Sequence, residues 1–334
     1  MGRDENIAEK LRKKFVENAS VLHGRYEKAF KKVPRHKFVP DNFSLEEIYS
    51  NKALVIEEGG IRVTSSTQPF LMAHMLALLS VNHGHKVLEI GTGTGYNAAL
   101  LAEIVGNEGN IYTVEINETL AEKAKKNLSQ YANIHVITGD GSKGYVLGAP
   151  YDRIIVTAKT TEFIPYWLEQ LDEGGILVAP FAILGREVYR DRLVRIERQS
   201  DRFIGKFSGW VSFIPMIGEY QELFDNKQAP KPLNELIQFL SKRWNTLANN
   251  IDIFIFCKIC EAIQSNLFGS EDLFKGDENL IHSWLDEINN EWLNTGSPTI
   301  SEYKIELFPN EKKIEKSEKR FVLERKYCKI VIDY

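Results

Sequence analysis

From residue 86 to residue 180, short apolar runs alternate with amphipathic ones, and that alternation limits the folds open to the chain. "KVLEIG" (86–91), "NIYTVEI" (110–116), "NIHVITGD" (133–140), "DRIIVTA" (152–158) and "GGILVAP" (174–180) read as strands. "YNAALLAEIVG", "ETLAEKAKKNLSQY" and "IPYWLEQL" between them read as helices. Strands that are apolar throughout, each separated from the next by a helix, predict a parallel sheet covered on both faces. The expected fold class is α/β, a doubly wound Rossmann-like core. "RLVRIERQ" and "FIGKFSGWVSFIP" alternate instead and are expected to close it as further strands.

The first strand runs directly into "GTGTGY", with Gly91, Gly93 and Gly95 at the strand-to-helix turn. Glycine there lets the backbone bend sharply and pass close to a ligand. Tyr96 holds the place of the third glycine of a dinucleotide fingerprint, and the Gly-Lys-Ser/Thr ending of a phosphate-binding loop is absent. Glu89 sets a negative charge before the loop, where a pyrophosphate would be repelled and a ligand with an amino group and a sulfonium would be suited. Glu115 ends the second strand, placed to accept two ribose hydroxyls, with Ile116 beside it. Asp140 and Gly141 follow the third strand, positioned for an adenine amine and ring. Three acids at successive strand ends around a glycine turn containing Thr92 predict an S-adenosyl-L-methionine site, with S-adenosyl-L-homocysteine as product. The expected fold is then a class I methyltransferase with a smaller α+β C-terminal domain.

Before this core lies "GGIRVTSSTQPF" (59–70), with Thr64, Ser65, Ser66 and Thr67 in sequence. Such a run caps a helix, lines a turn or holds a ligand. "QPFLMAHMLALLSV" begins a helix after it, with Pro69 suited to the first turn. Residues 6–33 read as a helix, "VPRHKFVP" (33–40) as a basic turn, and "SLEEIYSNKALVIEE" as a short helix followed by an extended segment.

The chain has 334 residues, which favours two domains. Its net charge of -4 gives no global reason to expect nucleic-acid binding, and no apolar run approaches a membrane span. The charged start lacks a signal peptide's apolar core, so a cytoplasmic location is expected. Cys257 and Cys260 sit in "IDIFIFCKICEAIQSNLF", which reads as an apolar helix with both thiols on its core face. A zinc site with Cys328 and His282 is the weaker alternative, and no metal is expected.

"VPRHKFVP", "SSTQPFLMAHML", "VLEIGTGTGYNAALLAEI", "GDGSKGY", "APYDRIIVTA", "GGILVAP" and "FIPMIGE" occur in this order. Together they resemble the protein-L-isoaspartate O-methyltransferases over about residues 5–220. The resemblance implies methyl-esterification of an aspartyl or isoaspartyl carboxylate on a peptide or protein. It also implies that the segment ending in Thr67, Gln68 and Pro69 crosses the donor, with the Thr67 hydroxyl facing the substrate carboxylate. The family usually has serine at that place and isoleucine where this chain has Ser66. Catalytic roles are expected for Thr67, Ser66 and Ser65, and substrate contacts for Arg62, Thr64, Ile214 and Pro215. The carboxylate nucleophile is already ionised at neutral pH, so no general base is needed.

The expected divisions are 1–80 for the N-terminal part of the catalytic domain, 81–220 for the donor-binding core and 221–334 for an extension. "NEWLNTGSPTISEYKIELFP" and "FVLERKYCKIVIDY" resemble the C-terminal extension of a related group. Its members modify ribosomally synthesised, post-translationally modified peptides such as lanthipeptides, lasso peptides and graspetides, methylating an aspartate that becomes aspartimide and then isoaspartate. Trp244, Trp284, Trp292 and a sheet edge in "CKIVIDY" are candidates for holding an extended peptide, although the tryptophans also suit the extension's own core. A general repair enzyme, a small-molecule methyltransferase and a non-catalytic donor-binding module are the competing readings.

Overall fold

The computed structural model describes residues 4–17, 24–58, 61–182, 191–220, 253–255, 257–258, 278–299, 302–315, 317, 319–324 and 327–334, without the side chains of 58, 61–63 and 278–282. Trp244, Cys260 and the side chains of Arg62 and His282 therefore lie outside the described residues. Contacts divide the chain into two compact units. One comprises Met1–Ala158, Tyr166–Val178 and Ile217–Glu219; the other comprises Lys159–Pro165, Ala179–Met216 and Tyr220–Tyr334.

The first unit opens with helices α1 (Glu5–Glu17) and α2 (Arg25–Lys32). The single helix expected over 6–33 is thus two, and Gly24, with φ +60°, precedes the second. Residues Arg35–Phe38 form a 3₁₀ turn, and α3 (Leu45–Ile48) starts at a capping box in which Ser44 and Glu47 exchange hydrogen bonds. The hydroxyl run forms a strand. Strand β2 (Ile61–Ser66) pairs antiparallel with β1 (Leu54–Glu58), with Leu54 opposite Ser66 and Ile56 opposite Thr64. Alternation along the pair turns Leu54, Ile56, Thr64 and Ser66 inward, while Val55 is exposed. Leu54 and Ile56 pack with Val39 and Ile48 in a small core against Phe43 and Tyr49.

Helix α4 (Pro69–Leu79) follows, with Pro69 in its first turn. The core then runs β3 (Lys86–Ile90), α5 (Tyr96–Val105), β4 (Asn110–Glu115), α6 (Glu118–Asn127), β5 (Ile134–Thr138), β6 (Tyr151–Val156), α7 (Pro165–Gln170) and β7 (Leu171–Phe181). The strands pair in the order β5-β4-β3-β6-β7, all parallel. Val87, Leu88 and Ile90 of β3 are buried, as are Ile154, Ile155 and Val156 of β6, which explains their unbroken apolar character. The chain reverses its direction of travel across the sheet at β3, and the carboxyl ends of β3 and β6 frame the crevice where such sheets bind ligands.

In the second unit β8 (Asp191–Gln199), β9 (Arg202–Val211), β10 (Lys304–Phe308), β12 (Lys329–Asp333) and β11 (Arg320–Glu324) pair antiparallel in that order. The division expected at residue 220 is not where contacts place it, because β9 bonds to β10 through Gly205 opposite Ile305. The edge expected in "CKIVIDY" is also corrected. That segment is β12, paired on both sides, and β11 is the outer strand of this group among the described residues. Helix α8 (Glu278–Asn294) carries Trp292, which is buried, as core packing requires, and Trp284, which is half-buried. Phe254, Phe321 and Tyr334 form an aromatic cluster. Cys257 and Cys328 are buried and not joined in a disulfide. Among the described residues there is no cluster able to hold a metal ion, and no helix long and apolar enough to cross a membrane.

Candidate active site

The glycine turn joins β3 to α5 with φ +94° at Gly91 and +53° at Gly93, conformations that side chains rarely adopt. Crowding adds a second reason at both places. A Cβ at Gly91 would lie 2.6 Å from Thr157 Oγ1, and one at Gly93 would lie 3.2 Å from Thr64 Oγ1. The hydroxyl strand thus comes up against the turn directly. Thr64, expected to touch substrate, faces the turn itself.

Glu115 stands at the carboxyl end of β4, nearly buried, and accepts the Gly93 amide at 2.8 Å and the Asn117 amide at 3.0 Å. Burial raises its pKa, opposed by hydrogen bonds from the Asn117, Gly93 and Ile116 backbone. Each oxygen keeps lone-pair capacity for a ribose hydroxyl. Ile116 is exposed beside it, leaving an apolar surface next to the acid.

Glu89 has a different environment from the one expected. It is wholly buried, with one oxygen accepting Asn97 Nδ2 at 2.7 Å and the other Thr113 Oγ1 at 2.6 Å. Thr113 in turn meets Thr92 Oγ1 at 2.7 Å. With Thr113 donating to the carboxylate, Thr92 donates to Thr113, so Glu89 braces the turn from beneath through two hydroxyls. Burial pushes its pKa up to about 7 against the lowering effect of the Thr113 and Asn97 bonds.

Asp140 caps the 3₁₀ turn Gly141–Lys143 through Ser142 and accepts the Glu219 amide at 2.8 Å on its other oxygen. These bonds hold its pKa below the usual value although burial, the largest single influence, raises it. Gly141 is needed for packing: an added Cβ would meet Ile90 at 2.6 Å, and its carbonyl accepts Trp167 Nε1.

The hydroxyls do not cap α4. Gln68 stands at its N-cap without a side-chain bond, and the Phe70 amide is taken by Asn51 at 3.0 Å. Ser65 and Thr67 are partly exposed. Ser66 is buried and its Oγ accepts Arg35 Nε at 3.1 Å. Arg35 and Asn51 were not singled out from sequence. Arg35 lies inside the quoted "VPRHKFVP", but nothing in its spacing marks it as buried. Ile214 and Pro215 belong to the second unit, where the Lys159 amide donates to the Ile214 carbonyl and Lys159 bridges to Pro215.

A glycine turn of positive φ, a strand-end carboxylate bonded to it and an apolar flank suit a nucleoside-bearing donor. The profile of the family described as Protein-L-isoaspartate(D-aspartate) O-methyltransferase matches residues 4–221. Among curated relatives, a protein-L-isoaspartate O-methyltransferase of Methanosarcina mazei is 42% identical over 65% of this chain and 87% of its own. Protein-L-isoaspartate O-methyltransferase 2 of Archaeoglobus fulgidus is 40% identical over 65% and 93%. A solved protein-L-isoaspartate O-methyltransferase superposes with TM-score 0.60 at 30% identity, over 66% of this chain and 69% of that one. A Plasmodium falciparum structure, described as such an enzyme in complex with S-adenosyl-L-homocysteine, shares the fold with TM-score 0.53 at 18% identity over 62% and 98%. This chain therefore belongs to the protein-L-isoaspartate O-methyltransferase family, the S-adenosyl-L-methionine-dependent carboxyl methyltransferases.

Proposed function

We propose that the enzyme methylates the side-chain carboxylate of an aspartate in a ribosomal precursor peptide, which then closes to aspartimide and opens to isoaspartate. The approach of Thr64 to Gly93 carries the site assignment, because it puts the hydroxyl strand against the donor turn. Glu115 would hold the ribose, with Gly91, Thr92, Gly93 and Gly95 forming the cradle; Asp140 and Ile116 would flank the adenine. When bound, the donor supplies a methyl group whose transfer turns a carboxylate into a methyl ester and the sulfonium into a thioether, with no proton moved. What the chain must add is position and dryness. A near-attack separation of roughly 3–3.5 Å, held by oriented neutral donors, supplies much of the rate. Thr67 and Ser65, partly exposed at the end of β2, are the hydroxyls free to orient a carboxylate without neutralising it. Glu89, enclosed and bonded on both oxygens, does not act as a base on the acceptor.

The substrate assignment is supported by what lies beyond the family match, which ends at residue 221. The chain continues with helix α8 and strands β10, β11 and β12, which the family match does not cover, and this added part is the one we assign to choice of a peptide substrate. The identity of 40–42% to archaeal isoaspartate methyltransferases favours a second reading, general repair of isoaspartyl proteins. Mass spectrometry on two substrates separates them: an isoaspartyl model peptide and the short peptide encoded beside this gene. A methyl gain followed by loss of methanol, a net loss of water from the unmodified encoded peptide, supports tailoring. A methyl gain confined to the isoaspartyl peptide overturns it in favour of repair.

A further inference from the structure

Arg35 is a buried cation of the first unit whose guanidinium makes five hydrogen bonds. It is 1% exposed, and its guanidinium reaches three separate stretches of chain. Nη1 donates to the Ile48 carbonyl at 2.8 Å, at the end of α3. Nη2 donates to the Lys52 carbonyl at 3.1 Å, in the approach to β1. The remaining bonds all go to the hydroxyl segment: Nε to Ser66 Oγ, and Nη2 to the Ser66 and Thr67 carbonyls, each at 3.1 Å. Every acceptor is a neutral oxygen, and no carboxylate among the described residues pairs with the charge. Burial draws its pKa down to about 10, which leaves it charged at neutral pH.

A buried charge is tolerated only when its donors are satisfied. The planar fork of a guanidinium meets several acceptors at fixed angles, so the acceptors are fixed in turn. Thr67 lies just past the last residue of β2, where the strand's ladder ends and α4 has not begun. Its carbonyl is held there by Arg35. The Nε bond has a further effect: Ser66 Oγ accepts from Arg35, so its own hydrogen points elsewhere.

We propose that Arg35 is a positioning residue for methyl transfer, setting Ser66 and Thr67 in register with the donor turn through the Nε and Nη2 bonds. This rests on the reading of the hydroxyl segment as the acceptor site. Arg35 touches neither donor nor acceptor. It decides where the Thr67 side chain stands when the carboxylate arrives.

The test compares Arg35→Ala, Arg35→Lys and the unmodified chain on whichever aspartyl or isoaspartyl peptide the latter methylates. Four measurements are needed: kcat, KM, affinity for S-adenosyl-L-homocysteine, and hydrogen exchange over residues 61–70. Arg35→Ala is expected to lower kcat at least tenfold, to change homocysteine-product affinity less than twofold, and to speed exchange at 61–70 but not in β3 or β4. Lysine keeps the charge but not the fork, so Arg35→Lys should recover little. Added ethylguanidinium should restore activity to Arg35→Ala several-fold. Full activity in Arg35→Lys, or unchanged kcat with unchanged exchange in Arg35→Ala, overturns the proposal. A parallel loss of product affinity overturns it too, since the effect is then on the donor turn. If Arg35→Ala does not fold, Arg35→Lys carries the same comparison. If the unmodified chain methylates no such peptide, the acceptor-site reading fails; the exchange data still decide whether Arg35 anchors the segment.

Discussion

Glu115 accepts the Gly93 amide at 2.8 Å, so the acid that ends β4 also fixes the second glycine of the donor turn. Glu115→Ala removes the acceptor we propose for the ribose and releases the turn together. Hydrogen bonds to a charged group are worth about 1.5–3 kcal/mol, so affinity for S-adenosyl-L-homocysteine should fall roughly tenfold to a hundredfold. Isothermal titration calorimetry reads this directly, and unchanged binding would falsify the assignment.

Gly91 combines φ +94° with a wall at Thr157 Oγ1, whose hydroxyl is itself tied to the Ile90 and Gly91 carbonyls. Gly91→Ala therefore meets both backbone strain and a pinned neighbour, at a cost of about 1–3 kcal/mol from strain alone. The thermal midpoint should drop by several degrees and donor affinity should suffer with it. Adding Thr157→Ala relieves the contact but not the dihedral, so the pair is expected to recover only in part. Complete recovery in the double variant rules out backbone strain as a cause.

Glu89 gives the stability curve a slope. Its pKa rises from an ordinary value near 4.5 to about 7 on folding. Between those values the folded protein holds more protons than the unfolded chain, so stability falls as pH rises through the window and levels off above it. At about 1.4 kcal/mol per pKa unit, the fall is on the order of 3 kcal/mol. Glu89→Gln keeps the shape and removes the ionisation. Denaturant melts at pH 5 and pH 7.5 should show the variant losing less stability than the unmodified chain over that interval; parallel losses contradict the origin assigned here.

Thr67 tests the acceptor end. Thr67→Ala should depress turnover by up to about a hundredfold, the cost of misplacing a reacting atom by roughly 1 Å, while leaving donor affinity near its starting value. Thr67→Ser retains the hydroxyl and should be mild. A kinetically silent Thr67→Ala removes this side chain from the mechanism.

The core was readable because burial on both faces writes itself as uninterrupted apolar strands, and because Gly91, Gly93 and Gly95 have few other uses at a strand-to-helix turn. The places of Glu115 and Asp140 at strand ends were also legible, a matter of counting along the chain. Other parts depended on contacts between distant stretches. Nothing in "YSNKAL" or "VPRHKF" shows that Asn51 will cap α4 nineteen residues later, or that Arg35 will span to Ser66 and Thr67. The enclosure of Glu89 was not legible for a related reason. Its neighbours in space, Asn97 and Thr113, enclose the carboxylate that sequence alone leaves pointing at a ligand. The edge assigned to "CKIVIDY" failed because strand order is not chain order: the last strand lies between the two before it.

The approach of Thr64 to Gly93 couples two adjustments that an engineer would prefer to make separately. A donor analogue carrying a longer alkyl chain calls for a roomier turn, yet any group placed at Gly93 meets Thr64 Oγ1, on the strand that leads to Thr67. Room at the turn is therefore made by changing Gly93 and Thr64 together. Libraries that vary Gly93, Thr64 and Thr67 together will reach solutions closed to substitutions made one at a time.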